Sequence, residues 1–249
     1  MALIHSFEKS GNTLFRYRGQ LPVLLFLMSV PVVYFTDYRF LDNNVQLSTV
    51  LMSVCGIISF FGQYVRAVAI GTSNKNTSGR NTKEQVAEAL NTKGIYSTVR
   101  HPLYLGNYFM WLGIVMFTYN IWFVIVFSLL FWLYYERIMF AEERFLERKF
   151  GQDYLDWSLR VPAFLPSFKN YVRGEIHFSM KTILRREYSG ITATILGFVF
   201  VDVWRVSFSS GEFTFTNGHL IALVVAFGIT LILRTLKHYT KLLFEEDRS

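Results

Sequence analysis

Six long apolar runs, separated by short polar and mostly basic segments, dominate the chain. They fall at 21–36, 46–70, 103–118, 121–140, 189–206 and 217–236. A helix that crosses a bilayer needs about 20 mainly apolar residues, so the pattern predicts an all-α, polytopic membrane protein with about six transmembrane helices. The first run is short and holds Pro22 and Pro31, and an internal proline kinks a helix. The third and fourth runs meet at Tyr119-Asn120, which leaves room only for a tight helical hairpin. Along the second run Gly56, Ser59 and Gly62 recur every three residues, a spacing that lets helices approach closely in lipid. The opening segment, 1–20, is polar and carries Lys9, Arg16 and Arg18. It lacks the early apolar core and small-residue cleavage site expected of a removable signal peptide.

Charge then orients the chain. With both termini on the cytoplasmic side, the outer loops are about 37–45, 119–120 and 207–216. All of the 25 Lys and Arg except Arg39 and Arg205 then lie on or near the cytoplasmic side, as the positive-inside rule expects. Three parts follow: 1–70 with two membrane helices, 71–170 with the polar segments and the hairpin, and 171–249 with two further membrane helices. The polar segment 71–94 is rich in Ser, Thr, Asn and Gly, with a short helix expected near 82–90. Its Asn76-Thr77-Ser78 sequon falls on the cytoplasmic side, so no glycosylation is expected there. In 137–188 the pattern predicts a helix continuing out of the fourth run and a break at Phe150-Gly151. A second short helix follows, then a loop fixed by Pro162 and Pro166.

Composition narrows the chemistry. Hydrophobic residues make up 52% and charged residues 17%, against about 25% charged in soluble domains. The net charge of +7 therefore points to cytoplasmic loops and anionic lipid head groups rather than nucleic acid. The one cysteine, Cys55, lies in an apolar run, and no two of the five histidines stand at a helical metal-ligand spacing, so no metal site is expected. No phosphate-binding loop, dinucleotide fingerprint or serine-nucleophile motif is present.

A cluster of polar residues flanks the hairpin instead. Before the third run stands GIYSTVRHPLYLGN (94–107); at the end of the fourth stand Arg137, Glu142 and Glu143. Because a hairpin returns the chain to its starting level, His101 must lie near 137–143. Each residue also has a plain structural role. Pro102 can begin a helix with His101 as its cap, Arg100 can snorkel, and the glutamates can pair along a solvated helix. Their convergence near the membrane, where ionisable groups are costly and commonly functional, favours a site.

These residues carry a resemblance. GIYSTVRHPLYLGNY, an apolar hairpin, and AEERFLERKFGQDYLDWSLRVPAFLP (141–166) together resemble the isoprenylcysteine carboxyl methyltransferase and phospholipid methyltransferase superfamily. These are integral membrane enzymes that use S-adenosylmethionine. The resemblance covers about 94–168, and the last two apolar runs inherit no role from it. It implies a cytoplasmic cofactor pocket. Glu142 and Glu143 would accept from the donor's hydroxyl and amino groups; Arg100, His101 and the amides at the Pro102 helix start would meet its carboxylate. Tyr96, Tyr104 and Gly106 would line the pocket, and Tyr154 and Pro162 would cover it. The acceptor would be a membrane lipid or lipidated molecule: an isoprenylcysteine-like carboxylate, a phospholipid amine or a lipid phosphate. Arg137 and Arg160 would orient an anionic acceptor. The membrane would be a bacterial inner membrane or the endoplasmic reticulum. The competing readings are an NADPH-dependent membrane sterol reductase of related fold and a non-enzymatic membrane subunit.

Overall fold

The computed structural model describes residues 2–42, 44–74, 77 and 85–245. Its described residues form helices and loops: α1 (Leu3–Tyr17), α2 (Leu21–Phe35), α3 (Arg39–Asp42), α4 (Val45–Gly71), α5 (Pro102–Met116), α6 (Ile121–Phe150), α7 (Gln152–Ser158), α8 (Met180–Ser210) and α9 (Asn217–Tyr239), with a 3₁₀ turn over Gly94–Ser97. Polar residues set several starts. Asn44, Asn120, Ser179 and Thr216 each accept an amide from the first turn of the helix that follows, satisfying donors that have no partner inside the helix.

All six apolar runs are helical, but the count of six spans is not confirmed by their lengths. Among the described residues, four helices are individually long and apolar enough to cross a membrane: α4, α6, α8 and α9. The pair α1 and α2, bent by 79°, adds a fifth when taken as one broken span. Helix α5 has only 15 residues, a rise of about 22 Å against a hydrocarbon core of roughly 30 Å. Nine of those residues are buried. It is packed among α4, α6 and α8, an inner element rather than a lipid-facing span.

Small residues explain the tight seam between α4 and α5. A Cβ on Gly62 would stand 2.3 Å from the Met110 amide nitrogen, and one on Gly113 would stand 2.3 Å from Ser59 Oγ. Ser59 Oγ donates to the Met110 carbonyl across the same seam at 2.7 Å. Ser59 and Gly62 therefore act as their spacing suggested, whereas Gly56 has no neighbour within 4 Å. The hairpin turn is as short as expected: Tyr119 takes a φ of 54° and Asn120 caps α6.

The polar segments are also largely as read. Helix α6 continues beyond its apolar part to Phe150, and Gly151, at a φ of 55°, separates it from α7. Helix α1 is amphipathic and lies along α6, its Gly11 against the Arg137 carbonyl and Glu8 2.6 Å from Arg148. Of the short helix expected over 82–90, residues 85–90 are described and form bends rather than helix; 82–84 lie outside the described residues, as do Asn76 and Ser78 of the sequon. Helix α8 starts at Met180, earlier than its apolar run, so Glu187 and Ser189 belong to that helix.

Far from that polar end, Asp202 accepts from His219 Nε2 at 2.9 Å and pairs with Arg205. His219 Nδ1 in turn accepts the Thr216 amide, so the imidazole bridges the start of α9 to α8. The Asp202–Arg205 pair is thus part of a structural brace.

Candidate active site

The site begins with the turn that precedes α5. Gly94–Ser97 and the chain to His101 are fixed by the loop after α7. The Arg100 and His101 amides donate to the Pro162 and Ala163 carbonyls at 2.9 and 3.2 Å, and the Ser167 amide donates to Thr98 at 2.9 Å. Trp157 Nε1 donates to the Tyr96 carbonyl at 3.3 Å, within a small apolar cluster of Tyr96, Tyr154, Trp157 and Val161. This clamp holds Arg100 and His101 against α6. His101 Nε2 donates to Glu143 Oε1 at 2.9 Å, and Arg100 Nη1 donates to Glu143 Oε2 at 3.1 Å. The hairpin therefore does what its length required and returns the glutamates to the RHP segment.

Beside this pair opens a cavity of about 430 Å³, within the roughly 300–1,000 Å³ range of small-molecule sites. Arg100, His101, Tyr96, Tyr104, Glu142 and Trp157 line it. The two glutamates are not equivalent. Glu143 is spent on Arg100 and His101 and is not among the lining residues. Glu142 does line the cavity, and its buried Oε2 has no hydrogen-bond partner; His101 Nδ1 is 3.7 Å away, beyond hydrogen-bond length. Arg100 Nε is likewise buried and unpartnered. An orphaned acceptor and an orphaned donor thus sit on two lining residues of one cavity, and such buried orphans are uncommon without a ligand, ion or water to meet them. Burial first, then the Glu142 charge, hold the Tyr96 phenol above its ordinary range; burial and the Glu143 charge do the same for Tyr154. Both remain neutral hydrogen-bonding groups at physiological pH.

The other expected site residues stand elsewhere. Arg137 does not reach the cavity: its guanidinium lies 3.3 Å over the Phe7 ring of α1. Five residues before Glu142, it is turned about 140° around the helix from it, so the two cannot share a face. Arg160 is exposed, and its Nε donates to the Asp156 carbonyl at 3.0 Å; α7 folds it away from the cavity. Gly106 is turned to α4, where a Cβ would stand 2.5 Å from Arg66 Cγ. Pro162 contributes its carbonyl rather than a wall. Tyr154 is behind the site, its hydroxyl 3.5 Å from Arg100 Nη1.

Sequence reasoning missed Arg66, Asn107 and Tyr135, which line the same cavity, and Glu187 behind Arg66. Arg66 was the one signal available, a lone charge near the end of an otherwise apolar run. Glu187 carried no signal, because it looked like part of a polar loop.

A multi-pass helical membrane protein with a polar cavity at one end of its bundle is the class that these features define. Residues 46–153 match the phospholipid methyltransferase family. Among curated relatives, protein-S-isoprenylcysteine O-methyltransferase of Saccharomyces cerevisiae is 29% identical over 122 residues, covering 48% of this chain and 51% of the relative. The protein of the same name from Schizosaccharomyces pombe is 35% identical over 107 residues, covering 42% and 45%; that from Rattus norvegicus is 32% identical over 120 residues, covering 47% and 42%. The middle of the chain is therefore similar to the phospholipid methyltransferase family and to isoprenylcysteine O-methyltransferases. The matched segment spans about half the length of these curated relatives. No solved structure matches the chain.

Proposed function

We propose that the protein is a membrane methyltransferase that takes its methyl group from S-adenosylmethionine and passes it to a lipid or lipidated acceptor. The observation that carries this reading is the unpartnered Glu142 Oε2 in the cavity beside Arg100 and His101, within the segment that matches the family.

The residues present fit that cofactor. Glu142 would accept from its hydroxyl or amino groups, and Arg100 Nε would serve its carboxylate. The faces of Tyr96, Tyr104 and Trp157 suit an adenine ring or a sulfonium cation. S-adenosylmethionine supplies a methyl group already activated as a sulfonium. The chain's own residues then have positional tasks: Glu143 locks Arg100 and His101, α7 and its loop hold Tyr96 and Trp157, and the apolar side chains of Phe145 and Leu146 limit water in the cavity they line. Neither a protein nucleophile nor a metal is needed for such a transfer. Under this reading the cavity opens to the cytoplasm and both termini are cytoplasmic, as the placement of Lys and Arg supports.

Calorimetry of the purified protein in detergent tests the reading. S-adenosylmethionine or S-adenosylhomocysteine should bind and NADPH should not. Binding of NADPH with no response to either sulfur compound would favour the reductase reading and overturn this one.

A further inference from the structure

The loop that follows α7 forms an arch with two feet. At the first, the Ser167 amide donates to the Thr98 carbonyl at 2.9 Å. At the second, the Val172 amide donates to Ser97 Oγ at 3.0 Å, and the Val172 carbonyl accepts the Gly94 amide at 2.9 Å. Between them the chain turns over Phe168-Lys169-Asn170-Tyr171, closed by the Tyr171 amide donating to the Phe168 carbonyl at 3.3 Å. Both feet thus rest on the turn that carries Arg100 and His101 to the cavity. The crown points away from it: Phe168 is 75% exposed and Tyr171 58%, and Leu165, just before the arch, is 76% exposed. A backbone this firmly held keeps three large apolar side chains outside the fold.

Two observations identify what such a surface meets. The first is position. Phe164 packs edge-on against Trp132 of α6, with 5.5 Å between ring centroids. Trp132 and its neighbours Leu129 and Leu133 are exposed on the outside of α6, a helix long and apolar enough to cross a membrane. Phe168 follows Phe164 by four residues, a reach of at most about 14 Å, so the arch begins on a lipid-facing surface and stays near it. The second is charge. Lys169 and Arg173 are exposed, and neither has an ion-pair partner among the described residues. Glu175, the one carboxylate in 164–178, is paired with Lys93 at 2.5 Å. Aromatic rings favour the head-group level of a bilayer, and uncompensated Lys and Arg beside them are drawn to anionic lipid. An acidic protein surface would match the cations but gives no reason for the arch to spring from the lipid-facing side of α6.

We propose that the arch is seated in the bilayer beside the site, with Leu165, Phe168 and Tyr171 at the head-group boundary and Lys169 and Arg173 on anionic phospholipid head groups. This lipid is a surface partner, outside the cavity, and the contact holds whatever reaction the cavity performs. Because both feet stand on 94–98, the bilayer also steadies the turn that presents Arg100 and His101.

The full-length protein in lipid nanodiscs tests this. A nitrobenzoxadiazole probe is placed at Asn170→Cys and, as a control on exposed α7 surface, at Gln152→Cys; the native Cys55 is buried. In discs of equal parts phosphatidylcholine and phosphatidylglycerol, lipid carrying a nitroxide should quench the Asn170 probe and aqueous iodide should not, with the reverse at Gln152. Nitroxide on phosphatidylglycerol should quench roughly fivefold more than nitroxide on phosphatidylcholine, the preference that about one basic side chain near an anionic surface provides. Lys169→Gln with Arg173→Gln should make the two lipids equal, and Leu165→Ser with Phe168→Ser should open the probe to iodide. Iodide access at Asn170 without lipid quenching, in the protein otherwise unchanged, would overturn the proposal and leave the arch to water or a protein partner. Equal quenching by the two lipids in that protein, or a preference that survives the paired Gln change, would overturn it as well. The Asn170 probe and the two labelled lipids decide without the multiple variants, so the test stands if one of those does not fold.

Discussion

Adjacent residues of one type have different tasks here. Glu143 is consumed in holding Arg100 and His101, so its effect on a ligand is indirect, while Glu142 lines the cavity and has one oxygen without a hydrogen-bond partner. Glu142→Gln should therefore weaken S-adenosylhomocysteine binding by about 1.5–3 kcal/mol, roughly 10- to 150-fold, with little change in unfolding temperature. Calorimetry and thermal unfolding on the same sample check both halves, and unchanged affinity would return Glu142 to a merely solvated helix face. Arg137 makes the opposite case. Its guanidinium stacks on Phe7, a contact of about 0.5–2 kcal/mol, so Arg137→Ala should lower stability by about that much and leave S-adenosylhomocysteine affinity unchanged. A large loss of affinity with normal stability would restore a role in the site.

Helix packing controls whether those side chains meet. The α4–α5 seam is closed by Gly62, Gly106 and Gly113, and Gly106 also lets the Arg66 stem pass across α5. Gly113→Ala should cost roughly 1–3 kcal/mol or more, because the added carbon meets Ser59 Oγ and the Cys55 carbonyl, neither of which can yield freely. Gly56→Ala, with open space around it, should be neutral. Thermal unfolding in detergent compares the two, and equal behaviour would show that the seam is looser than its geometry. The Asp202–His219 bridge performs a similar task between α8 and α9, away from the chemistry.

Orientation in the bilayer belongs to the whole molecule. If the polar end is cytoplasmic, a cysteine placed at Gln152 should react with a membrane-impermeant maleimide only after cells are permeabilised. One placed at Glu212 should react in intact cells. Both positions are exposed, whereas the native Cys55 is buried, with 2% exposure. The reverse pattern would invert the topology. At the same scale, α8 ties the C-terminal part to the rest through Arg66–Glu187 and through Gln63 Nε2, which donates to Thr194 Oγ1 at 2.9 Å. The three-part division of the chain is thus crossed by these part-buried polar contacts.

Hydrophobic patterning by itself determined where the six apolar helical stretches run, though not the amphipathic α1 or the early start of α8, and the two-residue gap at Tyr119-Asn120 required that His101 return to Glu143. These are short-range consequences of chain geometry: a helix rises by a fixed amount per residue, and a tight turn leaves no slack. The sequence also marked the break at Gly151 and the clamp around Pro162. It did not determine which way each side chain faces, because that depends on helical phase relative to neighbours that the sequence does not name. So Arg137, close to the glutamates along the chain, turned to α1, while Arg66, Asn107 and Glu187, spread over 121 positions, came together at the cavity. Nor did it determine that α5 is an inner helix: its hydropathy resembles that of a lipid-facing span, and only packing against α4, α6 and α8 distinguishes them. Apolar surface buried in protein and apolar surface exposed to lipid read alike in a sequence, and only the tertiary structure separates them.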